Sequence, residues 1–269
     1  RERPLLIYRI VAEFHATSDK SMLAAQRESK TDWTLLKNGS FHHYHPCFGP
    51  TEKFVSCSVV KERLIRKQLD PDRWMSRSRL VFRDIARNDD SRTLIACLVP
   101  SGFVSTYDAP MLVPIDDDQQ AESALAFYAG YLTSFLADFL VRPFVDKHIK
   151  GYVLARVPIP KYDPTVALMD KAARISLMLA QNSWQACHRG DSPAAFERTG
   201  PDRLLLDAIY LRLARTNRSE AALLFESFAS VRADEIQRFG EYRTRRLVLE
   251  AWDNLERGAL ITKRQGAST

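Results

Sequence analysis

The sequence predicts an α+β fold, in which a mixed β-sheet packs against a long core helix and a helical module follows. Two extended segments joined by a polar turn within Arg79–Val99 predict the sheet. An apolar helical repeat over Ala121–Val141 predicts the core helix, and no strand pattern follows Asp163. We therefore expect an α+β domain over residues 1–162 and a helical module over residues 163–269.

The other elements follow from the same periodicities, taken in chain order. Ahead of the central segment, the patterns predict a strand at Pro4–His15, a short helix at Lys20–Arg27, a turn at Asn38–Gly39, a strand at Phe41–Cys47 and a helix at Val59–Leu69. Behind it, they predict two short strands within Phe103–Ile115, a strand at Tyr152–Val157, and helices at Thr165–His188, Asp202–Ala214, Ser219–Ala229 and Glu241–Arg257.

Composition indicates a globular protein with a polyanionic partner. A chain of 269 residues with 45% hydrophobic content can bury one large core or two moderate ones. The formal net charge is +6 and the isoelectric point is near 9.2. Between Glu52 and Arg92 there are 11 Lys or Arg residues against 7 Asp or Glu residues. This local excess favours a partner such as nucleic acid.

Cysteine usage and hydropathy bear on where the protein works. The four cysteines, Cys47, Cys57, Cys97 and Cys187, are far apart and form no Cys-x-x-Cys pair, which favours a reduced cytoplasmic protein over a disulfide scaffold. No apolar run reaches transmembrane length and no signal peptide is recognisable, so we expect no membrane partner. The first residue is Arg1 instead of Met, as in a piece of a longer protein.

The central hairpin carries a row of arginines. The period-2 alternation of a strand places Arg79, Arg83 and Arg87 on one face. Neighbours in this row lie roughly 13 Å apart at about 3.3 Å per residue, a spacing that suits contacts to separate phosphates of a duplex. The alternative is a half-buried hairpin whose arginines are solvated or ion-paired.

The sequence motifs give little support for a metal site or a catalytic site in this chain. His43, His45 and Cys47 alternate as zinc ligands would, but a structural zinc site needs four ligands and no companion pair exists. Asp19 with Glu28–Lys30 is similar to a nuclease motif, but its Glu-x-Lys closes a helical segment instead of lying on a strand. The sequence contains no Gly-x-Gly-x-x-Gly loop, Walker loop, Gly-x-Ser-x-Gly elbow or Asn-Pro-Pro-Tyr tetrapeptide, so it predicts no catalytic residue and no cofactor in this chain.

Six segments in chain order carry a family resemblance, namely Phe14–Asp19, Leu36–Phe48, Arg83–Ala86, Ser91–Ala96, Ala126–Pro160 and Gly240–Leu249. Together they resemble the C-terminal target-recognition region of large adenine-N6 DNA methyltransferases. These are the single-chain enzymes of type IIG and type ISP restriction-modification and of BREX and DISARM phage defence in bacteria. Ser40 and Pro46 depart from the family pattern, where a lysine and an acidic residue stand.

The resemblance implies sequence-specific binding of double-stranded DNA for a methyltransferase domain that lies upstream in the parent protein. S-adenosylmethionine would bind to that domain, and the target adenine would be flipped out of the stack. Asn88, Ser91 and Arg92 are then candidates for base edges, because Asn pairs with adenine and Arg with guanine. The full set of DNA-binding candidates is Arg79, Arg83, Arg87, Asn88, Ser91, Arg92, Thr93, His43, Arg142, Lys147, His148 and Lys150.

A competing hypothesis makes the chain a protein-interaction scaffold. It would dock a helicase or nuclease partner, and its arginines would form ion pairs within the protein. The recognised base sequence and any DNA cleavage by the parent do not follow from the residues.

Overall fold

The structure of the protein, a computed structural model, describes residues 7–50, 53–189 and 200–266. Within these ranges the chain forms seven β-strands and ten α-helices, which confirms the predicted α+β class. The strands are β1 (Tyr8–Val11), β2 (Trp33–Leu36), β3 (Phe54–Val55), β4 (Arg79–Phe82), β5 (Ala96–Val99), β6 (Phe103–Ser105) and β7 (Met111–Pro114). The helices are α1 (Cys57–Arg66), α2 (Pro71–Met75), α3 (Glu122–Thr133), α4 (Phe135–Val141), α5 (Gly151–Leu154), α6 (Ala167–Arg189), α7 (Pro201–Leu213), α8 (Arg218–Leu224), α9 (Ala229–Phe239) and α10 (Arg243–Gly266).

The strands form two sheets, one antiparallel and one mixed. The antiparallel sheet has the order β1-β7-β4-β5, and the mixed sheet has the order β3-β2-β6, with β2 and β6 parallel. Strand β4 is central in the first sheet, where Leu80 lies opposite both Leu98 and Leu112. Leu80 packs towards the helices, whereas Val81 packs with Leu36 of the second sheet. Both faces of β4 are therefore covered, and all four of its residues are buried.

The predicted core helix is present but is broken into α3 and α4 at Ser134. That residue has extended backbone angles (φ −72°, ψ 155°), and its Oγ accepts a hydrogen bond from Ala137 N at 3.2 Å as the N-cap of α4. In the described part of the chain no single helix is long and apolar enough to cross a membrane. The one helix pair that would qualify by length and composition, Glu122–Thr133 with Phe135–Phe144, is bent by 64°.

Helix α3 lies very close to α6 and α7. A Cβ at Gly130 would overlap Ser176 Oγ and Tyr210 Oη, so only glycine allows this approach. The same hydrophobic core contains Leu112 of the sheet and Leu249 of α10. The core is thus continuous across the position between residues 162 and 163, and the two-domain division stays a prediction.

Two predicted strands are wrong. Residues 41–47 form a tight turn, in which His42 and His45 exchange backbone hydrogen bonds of 2.9 and 3.0 Å and Tyr44 takes a positive φ of 59°. This turn buries the Tyr44 ring in the main core, where Thr133 Oγ1 donates to its hydroxyl at 3.1 Å. The second error is the predicted strand from Tyr152, where the structure has α5. Tertiary packing outweighs the local strand pattern at both places.

The expectation of a fully reduced chain is also wrong. Cys47 and Cys187 form a disulfide with a Cα–Cα distance of 5.9 Å, although 140 positions separate them in the sequence. Cys57 and Cys97 are free. The bridge ties the turn at residues 41–47 to the end of α6, two segments whose contact no sequence pattern indicates.

Candidate nucleic-acid interface

Arg92 is a buried structural residue, not the surface residue that the sequence analysis expects. Its Nε donates to Asp138 Oδ2 at 2.9 Å, and its Nη2 donates to the carbonyl oxygens of Thr133 and Ser134 at 2.7 and 2.9 Å. The guanidinium also lies over the Phe135 ring, 4.1 Å from the centroid. At the helix break, Arg92 therefore binds the Thr133 carbonyl and shares the Ser134 carbonyl with the amide of Asp138, which donates to it at 3.2 Å.

Asp138 is the centre of this buried network. Its carboxylate accepts hydrogen bonds from the amides of Thr93 and Leu94 at 2.9 and 3.2 Å, as well as from two arginines. The second arginine, Arg142, uses Nη1 to hold the carbonyl oxygens of Asn88 and Asp90 at 2.7 and 3.0 Å. The network therefore fixes the shape of the loop at residues 88–91.

Two residues that were predicted to contact DNA, Arg142 and Thr93, form structural hydrogen bonds within the protein instead. The side chain of Arg142 is only 12% exposed, and its donors are directed at Asp138 and the 88–91 loop. Thr93 is buried, and its Oγ1 donates to the carbonyl oxygen of Arg87 at 2.8 Å. Both residues support the loop from below, so the expectation that they lie on a DNA-facing surface is wrong.

The predicted solvent-facing row of arginines is not formed. Arg79 is 4% exposed, with its guanidinium 4.6 Å from the centroid of the Trp33 ring and its Nη2 3.5 Å from Glu13 Oε1. Arg83 is partly buried and donates from Nε to the carbonyl oxygen of Phe41 at 3.0 Å. Strand β4 ends at Phe82, so the strand alternation places only Arg79 on the face that the second sheet covers, whereas Arg83 is held by Phe41 and Arg87 is exposed.

The exposed cations lie instead on a short two-stranded ribbon, formed by residues 84–87 and 147–150, which we call the basic ribbon. Ile85 and His148 form an antiparallel bridge between its two segments. The amide of Ile149 donates to the Asp84 carbonyl at 2.6 Å, and the amide of Ala86 donates to the Lys147 carbonyl at 3.1 Å. The exposed cationic or titratable side chains of the ribbon are Arg87, Lys147, His148 and Lys150.

Asp84 holds one end of the basic ribbon together. The residue is 5% exposed, and one carboxylate oxygen accepts from His148 Nδ1 at 2.9 Å and from Lys150 Nζ at 2.7 Å. His148 and Lys150 nevertheless keep about half of their side chains in solvent, 47% and 48% respectively. At the other end, Arg87 is exposed and forms a 3.1 Å ion pair with Asp89, which is exposed too. The ribbon is thus a basic surface with partly neutralised ends.

The predicted turn at Asn38–Gly39 is present and supports the ribbon from its other side, a contact that the sequence does not indicate. Asn38 Oδ1 accepts from the amide of Ile85 at 3.2 Å, and the amide of Asn38 donates to Asp108 Oδ2 at 3.3 Å. Tyr107, next to Asp108, is 61% exposed. The Asn38–Gly39 turn is visible in the sequence, but nothing in the sequence pairs it with Ile85.

Of the predicted site residues, the structure brings one subset together at the surface. Arg87 and Asn88 are exposed and Ser91 is half-buried; they follow the end of the ribbon where the amide of Ala86 donates to the Lys147 carbonyl, whereas His148 and Lys150 lie towards its Asp84 end. His43 is buried like Arg79, Arg92 and Thr93, and its Nε2 lies 2.9 Å from the Leu94 carbonyl oxygen.

The zinc alternative at the histidine segment has no geometric basis. The turn removes the alternation that would have aligned the histidines, and Cys47 is in the disulfide. Over the ranges that the structure covers, no group of three His, Cys, Asp or Glu side chains is placed to hold a metal ion.

Burial makes His43 a source of pH-dependent stability. Its burial, and then the positive charge of Arg92, hold its pKa well below the ordinary 6.5, and Arg203 Nη2 lies 3.2 Å from its Nδ1. An unfolded histidine takes up a proton below about pH 6.5 whereas folded His43 does not, so stability falls as the pH drops through that value. Relative to a His43→Gln variant, the wild type should lose about 1 kcal/mol of unfolding free energy between pH 6.5 and 5.5.

Urea unfolding at pH 7.5, 6.5 and 5.5 measures this difference. Parallel pH profiles for wild type and His43→Gln would contradict the prediction.

Comparison with known proteins finds solved structures that match this chain, but no match of the other kinds. No protein-family model matches the chain, and no curated protein matches it. The structure of MmeI, a type IIL restriction-modification enzyme, in complex with DNA is similar at 14% sequence identity and a TM-score of 0.49. The match covers 86% of this chain and 36% of that chain, so this chain spans about a third of the length of the solved protein.

Proposed function

We propose that this chain binds double-stranded DNA as the target-recognition region of a larger adenine-N6 DNA methyltransferase of a bacterial restriction-modification or phage-defence system. The observation that carries the proposal is the basic ribbon, a hydrogen-bonded pair of segments with exposed cations, one of which, Arg87, leads directly into the polar 88–91 loop. Arg83–Ala86 and Ser91–Ala96, which resemble segments of that enzyme family, contribute one segment of the ribbon and the base of the loop.

A paired element of this kind is one that DNA-binding proteins place in a groove of the duplex. A two-stranded β-ribbon fits the major groove of B-DNA, which is about 12 Å wide. Lys147 and Lys150 extend from one strand and Arg87 from the other, so phosphates on both sides of a groove are within the reach of cations. In this arrangement the cations set the position of the protein on the duplex.

In this arrangement the 88–91 loop would contact the base edges and so recognise the DNA sequence. The Asn88 side chain is exposed, and asparagine makes a bidentate contact with adenine in the major groove. Arg142 holds the backbone carbonyls of Asn88 and Asp90, and Thr93 holds that of Arg87, so the loop backbone is pre-organised before binding. Because Arg92 is buried, Asn88 and Ser91 remain as the candidates for base contacts.

The methyl transfer itself belongs to the upstream domain of the proposed parent, and S-adenosylmethionine would bind there. This chain would place the target adenine, which must leave the base stack before it can react. A role on cellular DNA would place the protein in the cytoplasm. Helicase or nuclease components are possible partners of such a parent enzyme.

The salt dependence of DNA binding tests the proposal. Each phosphate contact contributes about 0.9 to the slope of log K against log salt concentration on B-DNA. We expect an Arg87→Ala/Lys147→Ala double variant to reduce that slope by about 1.8 and to weaken binding at low salt. Fluorescence anisotropy with a labelled duplex over a salt series measures both quantities.

A matched control removes the same charge elsewhere. Lys61→Ala/Arg66→Ala takes two exposed cations from α1, and it should leave the slope close to that of the wild type. Equal slopes for the two double variants would show that net charge alone drives binding. A wild-type protein without salt-dependent DNA binding would favour the scaffold hypothesis.

A further inference from the structure

Ile85 is an exposed apolar side chain within a polar surface. It is 49% exposed and lies on the basic ribbon opposite His148, between the buried Asp84 and the exposed Arg87. A single exposed isoleucine is common on protein surfaces. Ile85 differs from the other exposed residues of the ribbon, because these are Arg87, Lys147, His148 and Lys150. The residue before the ribbon, Asp146, is exposed and acidic.

The backbone around Ile85 is fixed on both sides. Its own amide donates to Asn38 Oδ1 at 3.2 Å, and the next amide, that of Ala86, donates to the Lys147 carbonyl at 3.1 Å. Asn38 is itself held by Asp108 at 3.3 Å. Isoleucine is β-branched and restricted at χ1, so the side chain adds little freedom of its own. Ile85 is therefore a rigid apolar projection.

The charge around this projection indicates the partner. His148 lies opposite it and Arg87 two positions along the same segment, and Arg87, Lys147 and Lys150 would hold a polyanion against the ribbon, with Asp84, Asp89 and Asp146 offsetting part of their charge. The phosphates of a duplex lie on the outside and the apolar faces of its base pairs lie within. A cationic surface with one apolar projection thus matches the two chemistries of DNA in the right places. Proteins that bind the minor groove and kink DNA insert Ile, Leu, Phe, Met or Pro side chains between base pairs, and Ile85 would do so from the major groove.

We propose that Ile85 acts as a wedge that enters the base stack of bound DNA and unstacks one base-pair step. The proposal rests on the proposed DNA-binding function and adds a positioning residue to it. Unstacking one step lowers the cost of rotating a neighbouring base out of the duplex, which a methyltransferase acting on adenine requires. Ile85 forms no bond with the DNA and takes no part in the chemistry.

The test separates unstacking from binding. A pool of duplexes with a randomised centre is first enriched on the wild-type protein, and 2-aminopurine then replaces adenines in the enriched duplex one at a time. The fluorescence of 2-aminopurine rises when its stacking is lost. We expect a severalfold rise with the wild type at one or two adjacent positions. Ile85→Ala should lose most of this rise while it binds the duplex within about tenfold of the wild-type Kd.

Two further variants make the result specific. Ile115 is 63% exposed and follows β7 at the end of the sheet away from the ribbon, so Ile115→Ala removes an equally exposed isoleucine elsewhere. It should retain the full fluorescence rise. Ile85→Leu keeps an apolar wedge and should restore most of the rise.

Each other outcome overturns the inference in a recognisable way. If Ile85→Ala keeps the rise, Ile85 is not the wedge, although DNA binding stands. If the wild type binds without any rise and Ile85→Ala loses affinity only for duplexes with thymine at one position, Ile85 contacts a thymine methyl group instead. If the wild type enriches no duplex, the proposed function fails and the wedge fails with it.

Discussion

Replacing Asp138 with alanine should lower the free energy of unfolding by about 3–5 kcal/mol, which is the usual cost of breaking a buried ion pair from one side. The Asp138 side chain is 0% exposed, and its loss leaves the Arg92 guanidinium buried without its carboxylate. The amides of Thr93 and Leu94 lose their acceptor as well. Urea or thermal unfolding of the purified variant measures the loss.

A surface ion pair of the same helical spacing provides the control. Asp170 pairs with Arg174 on α6 at 2.9 Å, but the two side chains are 38% and 73% exposed. An Asp170→Ala variant should lose no more than about 0.5 kcal/mol. If Asp138→Ala costs as little as Asp170→Ala, the buried network does not stabilise the fold in the way we describe.

The second large effect is expected at Glu13, which is the buried counter-ion of Arg79. The Glu13 side chain is 0% exposed, and it accepts hydrogen bonds from Trp74 Nε1 and from the amide of Ser105, both at 2.9 Å. A Glu13→Leu variant leaves Arg79 charged between two tryptophan rings without a carboxylate. We expect a loss of about 3–5 kcal/mol in unfolding free energy.

The double variant Glu13→Leu/Arg79→Met distinguishes ion pairing from packing. Replacing a buried ion pair by apolar residues is often nearly neutral, so the double variant should recover most of the stability that Glu13→Leu loses. A double-mutant cycle with chemical denaturation gives the coupling energy. If the double variant is as unstable as the sum of the two single variants, the pair is not energetically coupled.

The sequence predicts the strands of the central hairpin and the core helix because both rest on local periodicity. The alternation in β4 places Arg79 and Val81 on one face, as the structure has them. It cannot show that β2, more than forty positions earlier in the chain, covers that face with Trp33. An arginine on a strand therefore looks exposed in sequence although it is buried here.

The candidate site is predictable in part for the same reason. Exposure of Asn88 and Lys147 follows from local polarity, since both lie in polar segments between apolar ones. Their proximity depends on pairing between the segments that contain Asp84 and His148, which are 64 positions apart. Ile85 gains its significance only from that pairing, and single-sequence periodicity carries no information about it.

The disulfide between Cys47 and Cys187 turns the intervening chain into a covalent ring. The basic ribbon and the 88–91 loop both lie within this ring, whereas β1 and the helices α7 to α10 lie outside it. A protease that cuts the ring once leaves its two fragments joined, and they separate on a gel only after a thiol reductant is added. Nicking of the candidate interface would thus go undetected under non-reducing conditions.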